Sequence, residues 1–477
     1  MFTKRNWRLF CLLILCISVL AFVGGAVSGT ATETFEMNLD DDGVISSEDE
    51  IVADRTNITV IATDSNSWRG ETSDGPRARA ELVAFRSNGS ILYYNDSHTR
   101  YWDVDQVPGT RATVEYMFAD HLESETCSTE VNHSRRRVNS SIWQEYAQAR
   151  SSDACTMNGY ERVNLTTGEV TTLWNESTPG KEATRYHDAD RLNETHIAVA
   201  DIYLDRVFIV NLSRDQTTWT WNASSAYSED SGGPYPEDWT HINDIETLDD
   251  GRLMVSLRNQ DQVAFLNRSR DTPDQTLGEE NQYETLYEQH NPDYISPAEG
   301  GPAVVVADSE NNRVVEYRET GDGWEQSWVW QDARMQWPRD ADRLPNGHTL
   351  ITDSNGNRVF EVAENGSIVW TVNIAFPYEA ERLNTGDEST GGPAATESNL
   401  ESSTAGISDQ VIIVLKQFLP SKYLNGFMYI TPVWVGFLEA LEIVVISITV
   451  VIWGCSELIW YQSNRVISNM IEGGKPW

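Results

Sequence analysis

RYHDADRLNETHIAVADIYLDRVFIV, residues Arg185–Val210, superposes without a gap on WPRDADRLPNGHTLITDSNGNRVFEV, residues Trp337–Val362. Both contain Asp-Ala-Asp-Arg-Leu, a β-rich run ending in Asp, and Arg-Val-Phe. Two looser copies lie between them: THINDIETLDDGRLMVSLRNQDQVAFL at Thr240–Leu266 and QHNPDYISPAEGGPAVVVADSENNRVVEY at Gln289–Tyr317. The pairs Arg206-Val207, Gln262-Val263, Arg313-Val314 and Arg358-Val359 mark the period, at intervals of 45 to 56 residues. Within the last copy, Ala341–Leu344, Thr349–Thr352, Arg358–Val362 and Ser367–Val372 are β-rich and separated by Pro-Asn-Gly, Ser-Asn-Gly-Asn and Asn-Gly turns. Four short strands joined by tight hairpins at such a period predict one blade of a β-propeller.

Fainter copies begin at Asn57 and Arg100, and FPYEAERL at Phe376–Leu383 repeats only the start of a unit. The expected fold is all-β, a six-bladed propeller over 50–383 with seven blades left open, carrying apolar helices at both termini. Trp219, Trp328 and Trp370 read as packing residues that close blades. The recurring pairs Asp201/Arg206, Asp308/Arg313 and Asp353/Arg358 read as structural ion pairs, because they occupy equivalent hairpins. The Asp-Ala-Asp carboxylates recur likewise, which suits turn caps or bonds between blades and makes them poor acid/base catalysts.

Outside the repeats, Lys4, Arg5 and Arg8 precede an apolar run, so 1–30 is a signal peptide or an amino-terminal anchor. Residues 384–406 are rich in Gly, Ser, Thr and Glu and read as a disordered linker. An amphipathic, membrane-proximal segment is expected over 407–431, a transmembrane helix over 432–461 and a short cytoplasmic tail over 462–477. Arg465 and Lys475, with the basic amino terminus, put both ends in the cytoplasm if the first helix is retained, and the propeller outside the cell membrane. The sequons at Asn57, Asn88, Asn139, Asn164, Asn193, Asn211 and Asn365 agree with an exported glycoprotein. Of five cysteines only Cys127 and Cys155 fall in the ectodomain, and one disulfide is expected.

The formal net charge of −38, from 73 acidic and 35 basic residues, is that of a halophilic protein whose self-repulsion salt screens. It argues against a nucleic-acid partner.

One position departs from the repeat. The residue ahead of each Asp-x-Asp-like segment is Trp102, His187, His241, His290, Arg339 and Tyr378 in successive copies. A scaffold that repeats while one position varies among Trp, His, Arg and Tyr predicts a ring of different polar and aromatic groups around the propeller axis, as a small-molecule site requires. Three of the eight histidines occupy it; His98, His121, His133, His196 and His348 do not and read as structural.

These residues resemble the arylsulfotransferase (arylsulfate sulfotransferase) family of exported six-bladed propellers. The resemblance rests on His-Ile-Asn at His241–Asn243, Leu-Asp-Asp-Gly, Val-Ser-Leu-Arg-Asn at Val255–Asn259, Gln289-His290, and Ala-Asp-Ser at Ala307–Ser309 ahead of Asn312-Arg313. It spans roughly Asn57 to Leu383, and departs from the family pattern in Gln-His-Asn-Pro-Asp at 289–293 and in the carboxy-terminal span. It implies transfer of a sulfuryl group from an aryl sulfate to a phenol without nucleotide donor or cofactor, through a sulfated histidine. Carried over, His290 is the nucleophile, and His241, Asn243, Arg258 and His187 complete the catalytic set. Arg339 would meet the sulfate, and Trp102 and Tyr378 would stack on an aryl ring. In this scheme His241 is protonated and donates to the leaving oxygen, while the Asn243 amide meets developing charge.

Two other readings fit the same residues. Three imidazoles match the ligand count of an open zinc or iron centre, although Arg339 beside them disfavours a dication, and no Cys/His zinc spacing is present. A non-catalytic propeller that binds a ligand or surface partner is the other.

Overall fold

The computed structural model describes residues 3–29, 50–65, 80–123, 154–181, 185–386, 388–403 and 406–472. Cys127, His133, Asn139 and Lys475 lie outside them. Cys155 is disulfide-bonded.

The β-rich segments form a six-bladed propeller of antiparallel sheets. The innermost strands are Arg100–Gln106, Tyr186–Asp188, Ile242–Thr247, His290–Ile295, Pro338–Arg343 and Pro377–Arg382. The partial motif at Phe376–Leu383 finds its explanation in ring closure. Pro377–Arg382 pairs with Thr59–Thr63, so the chain's last propeller strand becomes the innermost strand of the first blade.

Six apolar clusters fill the wedges between successive blades. Phe265 and Met254, for example, meet Val304 and Val306 of the next blade. Burying each such side chain contributes about 1.5–3 kcal/mol, which is why both faces of the middle strands are apolar. Arg206, Arg313 and Arg358 donate from Nε to Asp201, Asp308 and Asp353 at 2.6, 2.6 and 2.9 Å. Acids of the Asp-x-Asp segments accept from backbone amides of the following blade: Glu379 from Val104, Asp103 from Ala189, Glu246 from Tyr294 and Asp340 from Ala380. They stitch the ring together around its axis.

The described residues of 384–406 differ from the expected disordered linker. Ser389 is buried, Trp328 Nε1 donates to Glu401 O at 3.2 Å, and the Ala395 amide donates to Glu316. Their short side chains let the backbone run close against the blades and satisfy polar groups there, an outcome composition does not reveal. The helix Ile407–Gln417 and residues 421–425 also lie against the propeller. Lys416 Nζ donates to Met335 O at 2.8 Å, and the opposite side exposes Val411, Val414, Leu415, Phe418 and Tyr423.

A second unit comprises both termini. Its helices Lys4–Gly29 and Phe437–Glu472 run antiparallel. Trp7 and Arg8 bond Ser456 and Glu457, and Phe22 meets Trp434. Lys4–Gly25 and Phe437–Val466 are long and apolar enough to cross a membrane, and the first also passes as a signal sequence. The second helix begins later than expected and continues through most of the expected tail.

Candidate active site

Each innermost strand contains a β-bulge, and the bulged residues are Asp103, His187, Asn243, Asn291, Arg339 and Tyr378. This corrects the sequence expectation of one equivalent ring. His187, Arg339 and Tyr378 are bulged residues, Trp102 and His290 precede the bulge by one, and His241 precedes it by two. A bulge adds a residue and re-aims side chains, so different registers still deliver these groups to the same place. The Trp102 and His187 rings are 4.0 Å apart, His187 and His241 5.3 Å, and His187 and Tyr378 5.8 Å. His290 lies 6.3 Å from Tyr378, and Arg339 Cζ 4.7 Å above the Tyr378 ring. Tyr378 is the hub, buried, its hydroxyl without a hydrogen-bond partner among the described residues.

His290 is 1% exposed, and its Nδ1 is 2.8 Å from Ser309 Oγ. Ser309 Oγ is in turn 2.6 Å from Pro338 O. A carbonyl only accepts, so the single hydroxyl hydrogen goes to Pro338 and Nδ1–H must donate to Ser309. The Nε2 lone pair is thereby left for chemistry. Burial, followed by the charges of Arg339 and Arg258, holds this imidazole well below its usual pKa and hence neutral.

His241 has φ 49°, a left-handed conformation uncommon outside glycine. Its Nδ1 lies 2.5 Å from Asp238 Oδ1, and Arg258 Nη1 lies 3.2 Å from its Nε2. Burial lowers its pKa, Asp238 raises it and Arg258 lowers it again; the net shift is downward. His241 is therefore neutral at neutral pH, which corrects the expected protonated form. With Nδ1–H given to Asp238, its Nε2 is a base. Arg258 is further fixed by Glu288, whose Oε2 accepts from Nη2 at 2.7 Å.

Asn243 stands apart from the charge-stabilising role expected of its amide, because Nδ2 donates to Gln289 O at 3.0 Å and so ties its strand to the residue before His290. Gln289 Nε2 reaches back to Gln262 O at 2.8 Å. Burial, then His241, Arg185 and Arg339, keep His187 neutral as well. Among the other histidines, His98 bonds Asp120 and Glu161, and His348 bonds Glu361 at 2.6 Å.

The three imidazoles do not form a ligand set among the described residues; the groups close enough to share an ion are carboxylates. Sequence reasoning missed Asp238, Glu288 and Trp337, whose ring lies 4.2 Å from Arg339 Cζ. Ser309 stood in the Ala-Asp-Ser motif without a role.

Beside the imidazoles, a cavity of about 190 Å³ is lined by Asp238, Arg258, Asn259, Glu288 and Lys422 among others. A larger one, about 460 Å³ and lined in part by Ile413 and Lys416, contains none of the imidazoles. No imidazole lines the smaller cavity either, but its wall holds Asp238, Arg258 and Glu288, the groups that fix His241.

Residues 213–375 match the family model described as Arylsulfotransferase (ASST). That stretch holds His241, Asn243, Arg258, His290, Ser309 and Arg339; Trp102, His187 and Tyr378 lie beyond it. No curated protein matches the chain. Among solved structures it is similar to a Bacteroides caccae protein of unknown function, with TM-score 0.43 and 8% identity, covering 69% of this chain and 99% of that one. The periplasmic gluconolactonase PpgL of Pseudomonas aeruginosa gives TM-score 0.40 and 11% identity over 69% and 99%. Virginiamycin B lyase from Staphylococcus aureus, in its structure with quinupristin, gives 0.36 and 9% over 69% and 86%.

Proposed function

We propose that this protein is an exported aryl-sulfate sulfotransferase in which His290 carries the sulfuryl group. The observation that bears most weight is the Pro338–Ser309–His290 relay, which leaves a neutral imidazole with its Nε2 lone pair free among Arg339, Tyr378, His187 and His241. The match of 213–375 to the arylsulfotransferase model supports the substrate class.

In the first half-reaction Nε2 attacks sulfur, the S–O bond to the aryl group breaks, and the aryl oxygen leaves as phenolate. The Ser309 relay supports the positive charge that appears on the sulfated ring. Arg339 meets the sulfuryl oxygens, and Trp102 and Tyr378 flank the aryl ring. In the second half-reaction a phenol oxygen attacks the same sulfur and the N–S bond breaks. The phenol proton passes to His241 Nε2, whose resulting charge Asp238 balances, and then to the departed phenolate. Two displacements at one sulfur leave His290 as it began.

The two apolar helices serve as membrane anchors, with both termini cytoplasmic and the propeller outside. The exposed apolar side of 407–423 then rests on lipid. The acidic surface suits high salt, and the sequons at Asn57, Asn88, Asn193 and Asn365 lie exposed and open to glycans, while those at Asn164 and Asn211 are half-buried.

The test is full-length protein in detergent and high salt, given a chromogenic aryl sulfate and a phenol. Transfer and a sulfated His290 by mass analysis are expected. No transfer by the wild type, or full activity in His290→Ala, rejects the mechanism.

A further inference from the structure

A layer of carboxylates follows the imidazoles along the innermost strands. Asp103 succeeds Trp102, Glu379 succeeds Tyr378, and Asp293 lies three residues after His290. The turn after the final innermost strand brings Glu388, at φ 49°, to this layer. Ser389 anchors that turn, its Oγ donating to Asp293 Oδ2 at 2.6 Å and accepting from the Arg343 amide at 2.7 Å. Carboxylate oxygens of Asp103, Asp105, Glu379 and Glu388 all lie within 4.8 Å of one another, and so do those of Asp293, Asp342 and Glu388.

Two buried oxygens in and beside this layer accept no hydrogen bond among the described residues. Asp342 is 2% exposed, and its Oδ2 accepts no hydrogen bond among the described residues. Asn291, a bulged residue and not an acid, is 5% exposed. Its Nδ2 is held by Glu379 Oε2 at 2.8 Å, while its Oδ1 accepts nothing among the described residues. Buried like charges at such spacing call for a counterion.

We propose that Glu388 closes a hard-cation site in the propeller channel, with Asp103, Asp105 and Glu379 as one set of ligands and Asp293 and Asp342 as the adjoining set. Purely oxygen donors select a hard cation. Several carboxylates gathered at one place suit Ca²⁺, which takes about 6–8 oxygen ligands in a flexible geometry, better than Mg²⁺, which keeps several waters and uses one or two carboxylates. Between them the two ligand sets draw on four blades and share Glu388, so a cation held there ties the channel to the turn that carries Glu388. The proposal is independent of the reaction assigned to the imidazoles.

The experiment uses full-length protein in detergent, stripped with EGTA and held in constant KCl. Ca²⁺ is titrated against thermal unfolding, and displacement of bound Tb³⁺ is followed by luminescence. The melting temperature should climb with Ca²⁺ as mass action requires, and Ca²⁺ should displace the lanthanide. In Glu388→Gln the Ca²⁺ affinity should fall at least tenfold. Asp342→Asn provides a second variant with the same expectation, and Asp322→Asn, in an exposed turn, should behave as wild type. A wild type indifferent to Ca²⁺ and EGTA overturns the site, as does an undiminished Ca²⁺ response in both Glu388→Gln and Asp342→Asn.

Discussion

Ser309 Oγ sits 2.8 Å from His290 Nδ1 and 2.6 Å from the Pro338 carbonyl, which makes it a one-way relay: it gives its hydrogen to Pro338 and takes one from His290. The relay chooses the tautomer of a buried ring. Ser309→Ala removes the acceptor for Nδ1–H, so the ring loses its orientation and its preferred proton position. A neutral hydrogen bond of about 1–2 kcal/mol predicts a fall in kcat of roughly five- to thirtyfold with KM little changed. Steady-state transfer assays over several aryl sulfate concentrations separate the two constants.

The pH profile follows from the same ring. His290 is a nucleophile only when neutral, and burial with Arg339 and Arg258 holds its pKa well below the ordinary value. Activity should therefore persist below about pH 6.5, where an unperturbed histidine is half protonated. An acid limb of kcat/KM starting at or above pH 7 would contradict a His290 nucleophile in this setting.

Arg339 faces Trp337 and Tyr378 at 4.2 and 4.7 Å, where its planar guanidinium offers several donors from a fixed fork. Arg339→Ala should lower kcat/KM by about 10²–10³, the usual cost of removing a charge-stabilising donor. Arg339→Lys keeps the charge but loses the fork, and should recover only part of the rate. Equal activity in both variants and wild type would remove Arg339 from the reaction.

His98 makes a prediction about stability instead of catalysis. Burial opposes its charge, but bonds to Asp120 at 2.8 Å and Glu161 at 3.2 Å outweigh it and raise its pKa to about 9. A raised folded pKa gives stability that is complete below the unfolded value near 6.5 and is lost as pH rises through 9. With partial exposure discounted, the contribution is about 2 kcal/mol. His98→Gln should accordingly melt well below wild type at pH 6, and the gap should narrow markedly by pH 9.5. Thermal melts at the two pH values decide it.

Ring closure, the hairpin ion pairs and the residues meeting at the axis were legible in the sequence because repetition exposes them. A residue that varies inside a repeated frame stands out, as His187, His290 and Arg339 do. What repetition hides is register. Six bulges shift these side chains by up to two positions, and nothing in composition announces a bulge. Asp238 and Glu288 escaped because they lie just ahead of the repeated segments beginning at Thr240 and Gln289, although they fix His241 and Arg258. Residues 384–406 misled for a different reason: small polar side chains signal disorder only when no surface offers their backbone partners, and here the blades do.

The site is closed by chain that follows the propeller. His187, His241 and His290 are at most 7% exposed, and the cavity beside Arg258 has Lys422 in its wall. Lys422 pairs with Glu288, and Asn425 bonds Gln336 and donates to Glu310 at 2.9 Å. Substrate entering beside Arg258 must displace these contacts. Asn425→Ala removes the bonds to Gln336 and Glu310 without touching a group assigned to catalysis. It should speed hydrogen exchange across 416–425 and raise kcat/KM severalfold, with the larger gain for bulkier aryl sulfates because they need the wider opening. Faster exchange with unchanged kinetics for every substrate would mean that the aryl sulfate enters elsewhere, leaving 416–425 as packing alone.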